Sequence, residues 1–348
     1  MKQFGINGLG RIGRTCVRVW LKSNNPELSL VMINTSGSME IEAWAHLLKY
    51  DSNYSVLPAE IKVNRLQSTK EVTTENPVLG TLTINDKVIT VTAQRDPKLI
   101  PWGQYGVQVV VEATGAFTSQ EKASQHLVGG AQKVLITAPG SGDNISTSVL
   151  GVNEYSADHT VLSNASCTTN CVAPVVEIIS KNFGIEKAML TTIHAYTDDQ
   201  NTQDNSHKDL RRARSASENI IPTSTGAAIA TTEIIPEIAG IFDGIAVRVP
   251  VSTGSLSDMV FVTKQDTTVE QINQVLTAAS QEQRWSGVLA VTNDPIVSSD
   301  IIGRSESSIV DLALTQVIGG NLVKVVSWYD NEWGYCSRLV DQLAKITL

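Results

Sequence analysis

A cysteine between two hydroxyl side chains carries the most reactive chemistry in this sequence. Cys167 follows Ser166 and precedes Thr168, where a strand-like segment gives way to a helix candidate. The positive end of a helix dipole lowers the pKa of a thiol placed there, and the thiolate is the nucleophilic form of cysteine. Ser166 and Thr168 can cap the same helix. The sequence therefore predicts a nucleophile at Cys167. The alternative, if no base stands nearby, is a buried filler cysteine.

The best candidate for that base is a histidine. His194 ends an apolar strand candidate, where its side chain can project into a cleft. An imidazole there would take the thiol proton of Cys167 and later return it. His46, His126 and His159 have no reactive neighbours in the sequence, and we interpret them as structural.

Basic and hydroxyl residues in the second half indicate sites for anions. His207–Arg214 is a dense basic run, and Pro222–Ala228 adds hydroxyl groups and a glycine. Arg248 stands in an apolar strand candidate, where a guanidinium is costly unless an anion accompanies it. Guanidinium groups with hydroxyl groups suit phosphate recognition. The alternative for the basic run is a solvated surface or a subunit contact, and we apply it to Lys208 and Arg214.

A glycine motif near the N-terminus indicates a dinucleotide site. Gly8, Gly10 and Gly13 follow a strand candidate and open a helix candidate. The first glycine permits a tight turn, the second lets the backbone approach a pyrophosphate, and the third allows close helix–strand packing. The helix N-terminus then offers free N–H groups to the phosphates. The alternative is a glycine-rich turn without a ligand.

The end of the second strand candidate bears on which dinucleotide binds. NAD-preferring sites usually place a carboxylate there to hold the ribose hydroxyl groups. Here the residues are Asn34, Thr35 and Ser36. A carboxylate would repel a 2′-phosphate, whereas hydroxyl groups hydrogen-bond to one. The pattern favours NADP, with NAD possible. The alternative is a polar turn without influence on specificity.

The elements that must position these residues alternate between strands and helices in the first half of the chain. Such alternation predicts a parallel sheet with helices on both faces. The predicted strands are Lys2–Ile6, Leu28–Asn34, Val107–Glu112 and Lys133–Thr137, and the predicted helices are Arg11–Lys22, Ile41–Lys49 and Gln120–Leu127. Ile61–Thr92 holds short strand-like runs with little helix, which predicts an antiparallel excursion.

The second half changes character near Cys167 and predicts a mixed sheet. The predicted helices are Cys167–Asn182, which contains Pro174, and Glu332–Leu348; the predicted strands are Ala188–Ile193, Gly244–Val251, Asp258–Thr263 and Lys324–Tyr329. A proline inside a helix kinks it or removes a hydrogen bond. We therefore predict an α/β protein with two domains. An N-terminal Rossmann dinucleotide-binding domain spans residues 1–166 and is completed by the C-terminal helix 331–348, and a mixed-sheet α+β catalytic domain spans residues 167–330.

Composition narrows the possible functions. The chain has 348 residues, 42% of them hydrophobic and 18% charged, which is typical of a folded soluble protein. A net charge of -8 argues against a general binder of nucleic acids or anionic membranes. None of the four cysteines forms a Cys-x-x-Cys pair, so we expect no metal site of that type. A cytoplasmic location is the expectation, because no signal-like or membrane-length apolar run is visible.

Taken together, these motifs resemble the glyceraldehyde-3-phosphate dehydrogenase family. The similar stretches are Gly5–Arg14, Ala45–Ser52, Arg95–Trp102, Glu112–Thr118, Ser163–Cys171, Thr191–Gln200, His207–Ala228, Arg248–Pro250 and Val323–Arg338. The resemblance implies a homotetramer that oxidises D-glyceraldehyde 3-phosphate with inorganic phosphate to 1,3-bisphosphoglycerate, or runs the reverse reaction. It would serve glycolysis, gluconeogenesis or carbon fixation.

The resemblance also assigns residues to roles. Cys167 would be the nucleophile and His194 the base. Thr197 and Arg248 would hold the substrate phosphate; Ser166, Thr168, Thr225 and Gly226 would receive inorganic phosphate, with Arg212 between the two anions. In the Rossmann half, Arg11 and Ile12 would flank the pyrophosphate, Arg95 the adenosine end, and Thr114 with Gly115 the nicotinamide ribose. Asn331 would hold the nicotinamide carboxamide, with Tyr335 beside the ring.

Departures from the family pattern strengthen the NADP prediction. The usual Ile-Asn-Asp is Ile-Asn-Thr here, ending at Thr35, and the usual Asp-Leu-Pro-His-Lys becomes Asp-Asn-Ser-His-Lys around Ser206. In the family that loop reaches a neighbouring subunit's adenosine pocket, and a serine there accompanies NADP use. Arg304 replaces a usual aspartate. Two alternatives stay open: an erythrose-4-phosphate dehydrogenase, which releases the acid by hydrolysis, and a relative that has lost catalysis.

Overall fold

The chain divides into two units. The computed structural model describes residues 1–348. Unit 1 comprises residues 1–148, 155–165 and 339–348, and unit 2 comprises residues 149–154 and 166–338. The sequence-based division gave all of 331–348 to the first domain, whereas in the structure only 339–348 belongs to unit 1.

Unit 1 is built on a largely parallel sheet. Its strands are β1 (Lys2–Asn7), β2 (Leu28–Thr35), β3 (Tyr50–Asp51), β4 (Ser55–Val56), β5 (Ile61–Arg65), β6 (Val78–Ile84), β7 (Lys87–Ala93), β8 (Val109–Glu112), β9 (Lys133–Ile136), β10 (Ser146–Thr147) and β11 (Val161–Ser163). Its helices are α1 (Arg11–Ser23), α2 (Ile41–Lys49), α3 (Gln120–Ala123) and α4 (Gln125–Val128). The predicted helix Gln120–Leu127 is thus two short helices that meet at Ser124.

The order of strands in this sheet creates a crevice at its carboxyl edge. Nine strands lie in the order β10-β11-β9-β8-β1-β2-β7-β6-β5. From β1 the chain goes to β2 on one side and later to β8 on the other, and both pair with β1 in parallel. Ligands of doubly wound folds bind at such a switch point. The predicted Rossmann domain is confirmed. The predicted antiparallel excursion is also confirmed, because β5, β6 and β7 pair antiparallel.

The turn between β1 and α1 has the geometry that its glycines predict. Gly8 adopts a left-handed φ of 95°, and a Cβ there would lie 2.8 Å from the Thr114 side chain. A Cβ on Gly13 would lie 2.0 Å from the carbonyl oxygen of Gly8. A Cβ on Gly10 would have nothing within 4 Å. Two glycines therefore allow close packing, and the third leaves open space at the helix N-terminus.

Unit 2 carries a mixed sheet, as predicted. Its strands are β12 (Ile185–Ala195), β13 (Ile221–Ser224), β14 (Phe242–Val249), β15 (Ser255–Thr263), β16 (Leu289–Thr292), β17 (Ser308–Asp311), β18 (Gln316–Ile318) and β19 (Leu322–Tyr329), and its helices are α5 (Cys167–Phe183), α6 (Ala227–Ile234) and α7 (Val269–Ser280). Helix α8 (Trp333–Lys345) closes the chain. The strand order is β13-β14-β12-β15-β19-β17-β16, with β18 beside β19. Strand β12 pairs in parallel with β14 and antiparallel with β15, so His194 lies opposite Arg248 in the register.

Helix α5 fixes the position of Cys167. Ser166 is its N-cap, and its hydroxyl accepts the N–H of Thr169 at 2.9 Å. Pro174 lies inside the helix, which continues to Phe183. Ala165, just before the cap, has a left-handed φ of 52°, which is uncommon for a residue with a Cβ. The strained entry and the cap together fix where the first helical residue points.

No helix of the protein combines the length and apolar character needed to cross a membrane.

Candidate active site

The predicted nucleophile and base are in contact. Cys167 Sγ lies 3.4 Å from His194 Nε2. Cys167 is partly exposed, whereas His194 and the other three cysteines are buried. All four cysteines are free thiols. Cys167 is therefore the one cysteine that both meets a base and is reachable by a substrate.

The pKa values of Cys167 and His194 are both shifted by burial. Burial raises the pKa of the Cys167 thiol above its usual range. The charge of Arg248, the Thr168 hydroxyl and the N–H groups of Thr168 and Cys167 act in the opposite direction and offset burial only in part. The sequence-based expectation of a lowered pKa therefore does not take account of desolvation, which is the largest influence on this thiol. Burial, with the charge of Arg248, lowers the pKa of His194 to about 3. Burial thus disfavours the charged form of each group taken alone.

A proton can nevertheless pass between the two atoms. Its transfer from Sγ to Nε2 creates both charges together, 3.4 Å apart, and opposite charges at that distance stabilise each other strongly in a poorly hydrated site. Nδ1 has one contact that suits each tautomer of His194. Nδ1 lies 2.6 Å from the carbonyl oxygen of Ala195, to which an Nδ1–H would donate, leaving Nε2 free to accept. Arg248 Nη1 lies 2.9 Å from the same Nδ1 and donates to it in the other tautomer.

A tyrosine that the sequence reading did not single out supports the pair from behind. The buried Tyr329 hydroxyl lies 2.9 Å from Thr168 Oγ1 and 2.7 Å from Thr192 Oγ1. Its ring meets the His194 ring edge-on at 5.9 Å. It thereby ties helix α5 to strand β12. The Thr168 hydroxyl contacts both this tyrosine and the Cys167 sulfur, and the backbone N–H of Thr168 also lies near the sulfur.

Two arginines lie on this side of unit 2. Arg248 donates through Nη1 to Ala195 and Thr197, its buried Nε has no partner, and no carboxylate lies within 4 Å of it. Arg212 differs, because it pairs with Asp199 and lies 3.6 Å from Asp209. One guanidinium is therefore without a counter-charge, and the other has one inside the chain.

Thr225 and Gly226, which are also predicted to receive inorganic phosphate, lie at the start of α6. Thr225 Oγ1 accepts the N–H of Ala227, and Gly226 is the N-cap of α6. A Cβ on Gly226 would meet nothing within 4 Å.

The exposed Arg214 pairs with Asp204 at 2.7 Å, as an ordinary surface cation does.

A cavity of about 400 Å³ lies at the carboxyl edge of the sheet in unit 1. It is lined by Asn7, Gly8, Leu9, Gly10, Asn34, Thr35, Ser36, Trp44, Gln94, Arg95, Ala113, Thr114, Ala116 and Phe117. Seven of the predicted cofactor residues are among them. The wall carries one charged side chain, Arg95, which has no ion pair, and no carboxylate.

Two of the polar residues on this wall face inwards. Asn34 is 2% exposed, and its side chain bonds Asn7, Thr92 and the backbone of Gln94. Thr35 is 1% exposed and donates to the carbonyl oxygen of Thr92. Their side-chain hydrogen-bonding groups are thus used within the fold. The Ser36 hydroxyl remains exposed, 3.1 Å from that of Ser38.

A buried acid anchors the wall on the other side. Glu112 accepts from Asn7 Nδ2 at 2.6 Å, from the N–H and hydroxyl of Thr114, and from His126 Nε2 at 3.0 Å. Trp102 Nε1 donates to His126 Nδ1, so the His126 proton is on Nε2. His126 is structural, as predicted, and Glu112 holds both Asn7 and Thr114 in place.

Other predicted cofactor residues do not line this cavity. Arg11 pairs with Asp51 at 2.6 Å, Ile12 and Gly13 lie within the helix, and Gly115 has a left-handed φ of 71°. Ser206 lies on an exposed loop of unit 2. The cavity therefore does not test the roles assigned to these residues.

Asn331 and Tyr335 belong to unit 2. Asn331 Oδ1 accepts from Ser255 Oγ at 2.9 Å and from the N–H of Gly254 at 3.2 Å, and its Nδ2 makes no hydrogen bond within the chain. Ser255 also accepts the N–H of Ala195 at 3.1 Å. The orientation of the Asn331 amide is thus fixed, with its N–H groups free to donate.

Arg304, whose effect the sequence left open, forms a two-bond ion pair with Glu306. The carbonyl oxygen of Glu306 lies 2.8 Å from where a Cβ on Gly334 would be. Arg304 therefore holds a loop that packs against the start of α8.

No group of three or more His, Cys, Asp or Glu side chains lies close enough together to hold a metal ion.

Sequence reasoning missed four residues of the site, and each is a partner of a predicted residue. They are Tyr329, Ser255, Asp199 and Glu112. Tyr329, Asp199 and Glu112 lie inside the motifs that carry the resemblance, which was the only signal for them.

Comparisons with known proteins agree with this geometry. Residues 2–120 match the model of the glyceraldehyde 3-phosphate dehydrogenase NAD binding domain, and residues 166–331 match that of the C-terminal domain. The chain is 48% identical over 340 residues to glyceraldehyde-3-phosphate dehydrogenase 2 of Streptomyces avermitilis, covering 97% of this chain and 96% of the relative. It is 47% identical over 350 residues to glyceraldehyde-3-phosphate dehydrogenase 1 of Bacillus cereus, covering 100% and 99%. The chain belongs to the glyceraldehyde-3-phosphate dehydrogenase family of NAD-dependent oxidoreductases.

Proposed function

We propose that the protein oxidises D-glyceraldehyde 3-phosphate with inorganic phosphate to 1,3-bisphosphoglycerate, reversibly, through a thioester on Cys167. The observation that carries the proposal is the 3.4 Å contact between Cys167 Sγ and His194 Nε2 beside an arginine without a carboxylate partner. The names of the curated relatives support the substrate. A cytoplasmic location stays a prediction.

The residues of unit 1 fit a nicotinamide dinucleotide. Gly10 leaves open space before the N–H groups of α1, and the neighbouring cavity has room and one cation. Gly8, Gly10 and the start of α1 would receive the pyrophosphate. When bound, the dinucleotide supplies an acceptor for the hydride. We keep Asn331, with its free N–H groups, as the proposed partner of the carboxamide.

The first half of the proposed cycle forms and oxidises a thiohemiacetal. As Sγ bonds to the aldehyde carbon, the thiol proton moves to His194 Nε2 and then to the new oxygen. His194 takes that proton again as the hydride leaves, which yields a thioester on Cys167. The N–H of Cys167 can donate to the developing oxyanion. Arg248 and Thr197 would hold the substrate phosphate throughout.

The second half transfers the acyl group to inorganic phosphate. A phosphate oxygen attacks the thioester carbon, and the carbon–sulfur bond breaks. Sγ leaves as a thiolate next to the protonated imidazole, so the two charges again form together. The region of Ser166, Thr168, Thr225 and Gly226 would receive the attacking phosphate, with Arg212 between the two anions. Erythrose-4-phosphate dehydrogenase would differ at this step, since water replaces phosphate.

Replacement of Cys167 by serine tests the mechanism. The Cys167→Ser protein should lose turnover by at least ~10⁴-fold, because a serine hydroxyl is a poor nucleophile and a poor leaving group here. It should bind the dinucleotide as the parent does. Steady-state dinucleotide reduction with glyceraldehyde 3-phosphate, run with and without inorganic phosphate, measures both points. Retained turnover in the variant contradicts the thioester. Phosphate-independent turnover in the parent contradicts the phosphorylating reaction.

We also propose that NADP is used in preference to NAD. The cavity wall has no carboxylate to repel a 2′-phosphate, and the unpaired Arg95 and the Ser36 hydroxyl can bind one. The inward orientation of Thr35 removes its hydroxyl as a donor, so Arg95 carries more of the argument than the sequence suggested.

Arg95 provides the test of cofactor choice. Arg95→Gln should raise the KM for NADP roughly tenfold, the order expected for loss of a charge-assisted bond, and change the KM for NAD less than about twofold. Lys98→Gln, which removes an exposed cation outside the cavity wall, is the matched control. Equal increases for both cofactors would show that Arg95 does not read the 2′-phosphate.

We propose a homotetramer, as the resemblance implies. Apolar side chains lie exposed on neighbouring strands of the unit 2 sheet, with Met189 64% and Ile245 50% exposed. Exposed apolar side chains on paired strands favour an interaction surface on that face of the sheet. Sedimentation equilibrium should give about four times the 37.5 kDa mass of one chain. A mass near one chain at micromolar concentration would overturn the proposal.

A further inference from the structure

The cation proposed to lie between the two phosphates already has a partner within the chain. Arg212 Nη1 pairs with Asp199, Nε donates to Thr223 Oγ1 at 3.0 Å, and Nη2 donates to the carbonyl oxygen of Ser224 at 3.1 Å. All three nitrogens of the guanidinium are therefore engaged. An anion that approaches Arg212 has to compete for it.

The two acids near Arg212 are held in different ways. Asp209 accepts from the Thr223 hydroxyl at 2.6 Å and from the N–H of Arg211 at 2.9 Å, so the loop itself fixes its carboxylate. The Asp199 carboxylate bonds only two side chains, Arg212 and His207. Its side chain is 45% exposed. Asp199 is thus the acid that can leave Arg212 and be hydrated without breaking backbone structure.

Electrostatics agree with a real ion pair. Partial burial acts to raise the pKa of Asp199, but the bonds and charges of Arg212 and His207 outweigh it, and the pKa lies below its ordinary value. The carboxylate is therefore charged at neutral pH. Arg248, in contrast, has no carboxylate within 4 Å, which leaves it ready for an anion.

We propose that Asp199 is a displaceable counter-ion that pairs with Arg212 and is exchanged for a phosphate group when that group binds. The pair lowers the affinity of Arg212 for anions. Only the fraction of protein in which Asp199 has left Arg212 can bind an anion there, and the apparent affinity is reduced to that fraction of its intrinsic value. Phosphate-containing ligands then meet one cation without a carboxylate partner, Arg248, and one cation that is paired with Asp199, Arg212. This inference rests on the proposed role of Arg212 in phosphate binding.

The adjacent acid supplies a matched control. Asp198 is exposed and forms no ion pair, so Asp198→Asn removes the same charge one residue away. The probe is inorganic phosphate, and its dissociation constant is measured calorimetrically at constant ionic strength for the parent, Asp199→Asn and Asp198→Asn. Asp199→Asn should bind phosphate roughly three- to fivefold more tightly, the order of a partly exposed ion pair. Asp198→Asn should change it less than twofold.

A second pair of variants separates competition from general charge. The effect of Asp199→Asn should vanish in an Arg212→Gln background, because the two residues then have no pair to break. Equal effects of the two aspartate variants, weaker binding by Asp199→Asn, or persistence of its effect without Arg212 would each overturn the proposal. Thermal unfolding checks that each variant is folded. Phosphate-dependent turnover of the parent tests the reaction independently, so failure of the counter-ion and failure of the proposed function are distinguishable.

Discussion

The site depends on a proton shared between Cys167 and His194, where burial disfavours the charged form of each group. Burial raises the pKa of the Cys167 thiol and lowers that of His194 to about 3, yet the two atoms lie 3.4 Å apart. Burial makes each charge alone unfavourable in free energy, and an opposite charge that forms beside it offsets that cost. The distance between Sγ and Nε2 therefore has to be held closely. The left-handed Ala165, the Ser166 cap and the Tyr329 hydroxyl all help to fix α5 against β12.

Arg248 influences the charged forms of both Cys167 and His194. Its charge favours a thiolate and opposes an imidazolium, and it lies 2.9 Å from Nδ1. A phosphate group bound to Arg248 would offset that charge and so ease protonation of His194. Substrate binding and activation of the nucleophile would then be linked through one guanidinium. In the same region Arg212 carries its own acid, so the two cations of the site respond to anions differently.

Much of the fold could be predicted from the sequence, because its signals are local. The turn at Gly8, Gly10 and Gly13 is set by sterics within six residues, and alternating elements imply the parallel sheet. The Cys167–His194 contact was predicted from a helix start and a strand end. Side-chain direction was harder. Thr35 turns into the fold, which the composition of its segment does not reveal. The net pKa of Cys167 depends on tertiary burial, and the Asp199–Arg212 pair depends on the path of an irregular loop.

The rate at which iodoacetamide alkylates Cys167, followed against pH, tests the shared proton most directly, since this reagent is uncharged and Arg248 does not attract it. At neutral pH the parent should react at least about tenfold faster than His194→Asn, because without Nε2 the thiol has to ionise alone against its raised pKa. The rise in rate of that variant should be displaced to higher pH, while His46→Asn, a change at an exposed histidine of α2, should follow the parent. Superimposable profiles for the parent and His194→Asn would contradict the account.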